Sequence, residues 1–145
     1  ITKMGSIVQS VNNLDYLPPV LSMEDIQSTT AQEWISLLQQ IIDYSNYDVV
    51  ILDLSDSVSQ LYKVLEQCTR IYMPIRADPV SQAKIHQFEH TLQVWEKQMM
   101  LDRIRKIKLP YHRSSKTGIG YMDDLVWSEL GDYVREMLRT EREDG

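Results

Sequence analysis

Tyr47-Asp48-Val49-Val50-Ile51-Leu52-Asp53-Leu54-Ser55-Asp56-Ser57 is the stretch on which the reading of this chain turns. Val49 to Leu52 is an unbroken apolar run. That is the pattern of a strand buried on both faces, and such strands occur almost only in parallel sheets covered by helices on each side. The run closes on a carboxylate. Asp53 is therefore expected at the carboxyl end of a central strand, the edge where open α/β sheets hold their ligands. An ionised Asp is too costly to bury alone, so the position calls for a metal, a hydrogen-bonded network or water.

Outward from this run, helices and strands alternate. Upstream, Thr30-Ala31-Gln32-Glu33 has the form of a capping box, and Trp34, Leu37, Leu38, Ile41 and Tyr44 give the following helix its apolar face. Earlier still, Ile7, Val8 and Val11 suggest a short element, Leu14 to Val20 a strand stopped by Pro18-Pro19, and Ser22 to Gln27 at most one helical turn. Downstream, Ser57 and Gln60 can cap a helix facing inward on Val58, Leu61, Val64 or Leu65, and Cys68. Thr69 to Ala77 reads as a strand, which Pro74 marks as a sheet edge or a short strand and Asp78-Pro79 breaks. A long helix is expected from about Val80 to Leu101 on Ile85, Phe88, Leu92, Trp95 and Met99. A strand over Ile104 to Tyr111 follows, then a last helix over Tyr121 to Arg139 on Trp127, Leu130, Val134, Met137 and Leu138. This alternation predicts an open, mostly parallel sheet with helices on both faces, in one α/β domain spanning 1–145.

The bulk properties fit that class. The chain has 145 residues and a net charge of −6, which argues against general nucleic-acid binding. No apolar run reaches membrane-spanning length, and no signal-peptide pattern opens the chain. The single Cys68 cannot form an internal disulfide, which suggests a reducing, cytoplasmic setting. The start at Ile1 and the polar run from Arg139 to Gly145 suggest a piece of something longer.

An apolar strand ending in Asp has the form of a Walker B element, whose carboxylate holds magnesium or its water in phosphoryl-transfer sites. Buried strands ending in Asp are also common as caps and loop-ordering residues. No Gly-x-x-x-x-Gly-Lys-Ser/Thr loop occurs, and Lys116-Thr117-Gly118 has those letters in the wrong order. The chain by itself has no phosphate cradle. His86-Gln87-Phe88-Glu89-His90 matches His-x-x-Glu-His, but the two histidines lie away from the apolar stripe and are expected in solvent. Six of the fifteen basic residues lie between Arg103 and Lys116. Lys106 and Lys108 alternate with Ile107 and Leu109, as on a protected sheet edge.

The stretch around Asp53 resembles the phospho-acceptor strand of receiver domains, although no acidic pair closes an earlier strand. Over Leu14 to Leu138 the pattern resembles the C-terminal two-thirds of a MinD/ParA-type ATPase, closest to the CpaE-like branch. The resemblance rests on Leu-Asp-Tyr-Leu-Pro-Pro at 14 to 19, the quoted stretch at 47 to 57, Glu-Gln-Cys-Thr-Arg-Ile-Tyr-Met-Pro at 66 to 74, and Ser-Glu-Leu-Gly-Asp-Tyr-Val-Arg at 128 to 135. It implies a P-loop NTPase-like fold lacking its Walker A strand and loop here, ATP and Mg2+ as cofactors, and a homodimeric switch that positions or regulates a protein partner, as in pilus assembly. It also implies a cytoplasmic location, peripheral to the membrane through partners. Carried over by position, Asp53 is the catalytic, metal-facing carboxylate, and Ser55, Asp56 and Ser57 begin the nucleotide-responsive segment. Pro110-Tyr111-His112 stands where adenine-reading members of the family have Asn. The alternatives are a non-enzymatic interaction or regulatory domain of the same fold, and after it a receiver-like phospho-acceptor domain.

Overall fold

The structure, a computed structural model, describes residues 8–11, 13–18 and 22–143. The chain is mixed helix and strand and packs as two compact units, Ile1–Cys68 and Thr69–Gly145.

In the first unit, β1 (Gln9–Val11) and β2 (Leu14–Tyr16) form an antiparallel hairpin with Ser10 opposite Asp15. The strand expected over 14 to 20 is realised as these three residues, while Pro19 and Val20 lie outside the described residues. Helix α1 (Met23–Ser28) is capped by Ser22, whose Oγ accepts from the Glu24 N–H at 3.2 Å. Helix α2 (Ala31–Tyr44) begins on the expected capping box: Thr30 Oγ1 accepts from Glu33 N–H at 3.3 Å, and Glu33 Oε2 accepts from Thr30 N–H at 2.8 Å. Two orphan donors of the first turn are thereby satisfied. The helix buries Ala31 and Leu38 in a cluster with Val58 and Val64, on which Trp34, Leu52, Leu54 and Leu61 pack. Tyr44, expected on this face, points into solvent at 72% exposure.

The expected helix starting at Ser57 is cut to α3 (Leu61–Leu65). Gln60 sits in the left-handed region at φ 51° with no side-chain cap, so the turn ahead of it cannot continue into a regular helix.

The second unit is built on a parallel pair, β3 (Ile71–Pro74) with β4 (Ile104–Ile107), in register Ile71 to Ile104 and Pro74 to Ile107. Pro74 ends its strand, as a residue without an N–H must at a sheet margin. Helix α4 (Pro79–Val94) starts where Asp78-Pro79 places it: Asp78 accepts from Ser81 N–H at 3.0 Å and from Ser81 Oγ at 2.7 Å, and Pro79 occupies the first turn. Lys106 Nζ on β4 reaches Glu89 Oε1 on α4 at 2.7 Å, tying strand to helix.

The single long helix expected to Leu101 is broken. Glu96 adopts φ 56°, the Lys97 N–H bonds Leu92 O at 2.8 Å, and the Glu96 N–H bonds Gln93 O at 3.0 Å. These two bonds make a Schellman ending, after which α5 (Gln98–Arg103) starts in a new phase. Leu92 and Met100 are consequently buried, while Trp95 and Met99 turn outward.

The last expected helix is likewise two, α6 (Ile119–Val126) and α7 (Glu129–Glu143). Ser128 makes the junction: its Oγ donates to Leu125 O at 2.7 Å and accepts from Gly131 N–H at 3.3 Å. Trp127, expected in the core, is 81% exposed under the Arg135 guanidinium, 5.6 Å from its ring centre.

The expected open, mostly parallel sheet does not form among the described residues. They hold two separate two-stranded sheets, one antiparallel and one parallel. Val49 to Leu52, read as the central strand, belongs to neither, because no described segment hydrogen-bonds to its backbone. A strand is defined by its neighbours, and here only a helical layer is supplied.

Candidate functional site

The segment carrying Asp53 is held at both ends. At its entry the Tyr47 hydroxyl donates to Asp15 Oδ2 at 2.6 Å, and Asp15 also accepts from the Ser10 hydroxyl across the β1–β2 hairpin. These bonds, Ser10 first, hold the Asp15 carboxyl below its ordinary value of 3.8, and the bond to Asp15 raises the Tyr47 phenol above its own. At its exit Leu52 and Leu54 pack on the core beneath α2.

Between these anchors exposure alternates with period two, as along an extended chain. Val50 is 37% exposed and Leu52 and Leu54 are half-buried, whereas Val49 and Ile51 stand 73% and 80% exposed. Asp53 shares the open side. Fully burying side chains the size of Val49 and Ile51 is worth ~1.5–3 kcal/mol each, so their exposure leaves a considerable driving force unused.

After Asp53 the chain turns at once. Ser55 Oγ accepts from Ser57 N–H at 3.3 Å and Ser55 O accepts from Val58 N–H at 3.4 Å, with Asp56 exposed between them. Asp53, Ser55, Asp56 and Ser57 are thus brought onto one short loop at the end of the apolar segment. Ser57 does not cap a helix. The helix starts only at Leu61, with Gln60 ahead of it, while the Ser57 N–H bonds within the loop.

Among the described residues no group of three or more His, Cys, Asp or Glu could hold a metal. A single exposed carboxylate such as Asp53 suits a magnesium ion whose remaining positions are water and phosphate, and cannot make a closed protein site. For ATP the chain offers no Gly-rich cradle, so its own residues do not fit the nucleotide, and no hydrolytic step follows from them.

The other sequence candidates resolve structurally. His86 and His90 lie exposed on α4, as the helical phase requires. Three members of the basic run are engaged with neighbours: Arg105 donates to Asp102 O at 2.9 Å, Lys106 pairs with Glu89, and Lys116 Nζ lies 3.0 Å from Asp124 Oδ1. Cys68 is half-buried, its thiol directed at Val64 O at 3.7 Å.

One cluster escaped the sequence reading. His112, Ser114 and Lys116, at alternate positions, converge on Asp124 of α6, with His112 Nε2 3.7 Å from Asp124 Oδ2. The letters are those of a Ser-His-Asp triad but the order is not. Ser114 bonds Asp124 directly, and His112 Nε2 is buried without a hydrogen bond among the described residues. No relay to a nucleophile exists, and the cluster ties the loop after β4 to α6.

Four carboxyls are held below their ordinary values by hydrogen bonds: Asp15 chiefly by Ser10, Glu33 by the Thr30 N–H, Asp78 by the Ser81 N–H, and Asp124 by Ser114 and then Lys116. A depressed folded-state pKa contributes stability above the unfolded value, and that stability is lost as pH falls through the folded value. The melting temperature is therefore expected to hold above about pH 5 and to fall on acidification below the ordinary values of 4.5 for Glu33 and 3.8 for the aspartates. Thermal melts of the parent and of Asp124→Asn between these limits check this. An acid slope unchanged in the variant would remove Asp124 from the account.

No helix among the described residues is long and apolar enough to cross a membrane. Compared with protein-family models, with curated proteins and with solved structures, the chain finds no match.

Proposed function

We propose that this chain is the Asp53-bearing portion of a ParA/MinD/CpaE-like nucleotide switch, which in its complete form binds ATP and Mg2+, dimerises, and positions or regulates a protein partner. The observation that carries the reading is the apolar segment packed by one side on α2, closing on an exposed carboxylate and passing straight into the Ser55–Ser57 loop. The parallel β3 and β4 strands joined through α4 and α5 add support, because a crossover of this kind belongs to α/β domains. Asp53 would supply one oxygen to a water-rich magnesium ion. Ser55, Asp56 and Ser57 would follow the phosphate side of the loop. The chain alone is inactive in this reading, for lack of a cradle.

The test is calorimetric titration with Mg-ATP of this chain, of a form extended upstream, and of Asp53→Ala in each. Binding confined to the extended form and weakened about tenfold or more by the substitution is expected. An extended form that binds equally well without the Asp53 carboxylate, or not at all, would sink the reading. A non-enzymatic interaction domain is the second reading, favoured by the exposure of Val49 and Ile51.

A further inference from the structure

The geometry points to the open side of the segment from Asp48 to Asp53 as a docking edge for an added β-strand: an extended stretch of a protein partner, apolar at alternate positions and basic at both ends. Three observations converge on that occupant.

The first is the backbone. Among the described residues no main-chain hydrogen bond involves residues 48–54, although the alternating exposure is that of an extended chain. Such an edge presents a ladder of donors and acceptors that an added strand satisfies and a helix cannot. The second is the side-chain row. Val49 and Ile51 stand out from the same side at 73% and 80% exposure, spaced to meet alternate side chains of a neighbouring strand.

The third is charge. Asp48 and Asp53 bracket the row, Asp56 follows, and Lys3 and Lys63 are the only basic residues of the first 68, against nine acidic ones. The whole unit therefore favours a cationic partner and repels an acidic one. The same charges argue against a second copy adding through this edge. In-register parallel pairing of two copies sets each Asp beside its own copy, and in any register two units with this excess of acidic residues repel each other. Basic residues at both ends of the incoming strand remove that conflict.

The experiment uses the full chain without nucleotide, so its readout does not depend on ATP binding. The probe is a fluorescent synthetic peptide, Lys-Thr-Val-Thr-Val-Thr-Lys, followed by anisotropy at low and high salt. Two controls accompany it, one with Glu at both ends and one N-methylated at every second amide. The Lys-ended peptide is expected to bind about tenfold or more tightly than either control, more weakly as salt rises. Ile51→Lys and Val49→Lys should abolish binding with the melting temperature unchanged, since both side chains are exposed. Asp48→Asn should weaken binding and flatten its salt dependence. Equal binding of the Glu-ended or N-methylated peptide, or binding indifferent to Ile51→Lys, would overturn the proposal. So would sedimentation showing the chain self-associating through this edge, in a manner that Ile51→Lys abolishes.

Discussion

Leu92→Ala is expected to remove ~2–5 kcal/mol from the unfolding free energy of the Thr69–Gly145 unit. Leu92 is 0% exposed and lies where α4 reaches its Schellman ending, its carbonyl accepting the Lys97 N–H at 2.8 Å. Truncation there loses the transfer free energy of the removed atoms and opens a cavity beside a helix end that is fixed by its own hydrogen bonds and can collapse little. Small domains hold only ~5–15 kcal/mol in total, so the variant should unfold at a markedly lower urea concentration. Val94→Ala, two residues on and 63% exposed, is the control and should lie within ~0.5 kcal/mol of the parent. A Leu92→Ala midpoint indistinguishable from that of Val94→Ala would mean that α4 does not bury its stripe as described.

Gly131→Ala carries the second large effect. A Cβ at Gly131 would sit 2.1 Å from the Val126 carbonyl oxygen and 2.7 Å from its carbonyl carbon, distances that no rotamer relieves because the obstacle is backbone. The α6 to α7 junction would have to open. That would disturb the Ser128 bonds to Leu125 and Gly131, and the 2.7 Å bond from Arg135 to Val126 O. Overpacking of this kind costs ~1–3 kcal/mol or more. Gly120→Ala gives the contrast, since its added methyl would meet only Lys116 side-chain atoms at 3.8 Å. Alanine is the better helix former by ~1 kcal/mol, so that variant should melt at or above the parent temperature. Thermal unfolding of the two variants side by side decides the point, and equal melting temperatures would rule out the close approach.

Elements governed by near neighbours were legible in the residues. The Thr30–Glu33 box starts α2, Asp78-Pro79 starts α4, and the inward positions Trp34, Leu38, Ile85, Phe88 and Leu92 follow from helical period. Each depends on contacts within a few residues, and amino-acid identity determines those directly. The two helix breaks were not legible. The left-handed residue at the end of α4 is Glu96, and glycine is the residue that normally announces such an ending. At Ser128 the stop depends on how closely α7 approaches the last carbonyls of α6. The convergence of His112, Ser114 and Lys116 on Asp124 was hidden for a related reason: the alternating basic run carries no mark of the acidic helix position that meets it.

The candidate site divides in the same way. That Asp53 closes an apolar segment and opens the Ser55–Ser57 loop was determined by the sequence alone, because order along the chain and local turn bonding suffice for it. Whether Val49 to Leu52 is a buried central strand was not, since a strand is made by the segments that bond to its edges. The tertiary structure supplies α2 and the core to one side of the segment, leaves Val49 and Ile51 exposed on the other, and among the described residues gives its main chain no hydrogen-bonded neighbour. Apolar composition specifies that a surface is to be buried, and long-range packing decides what buries it.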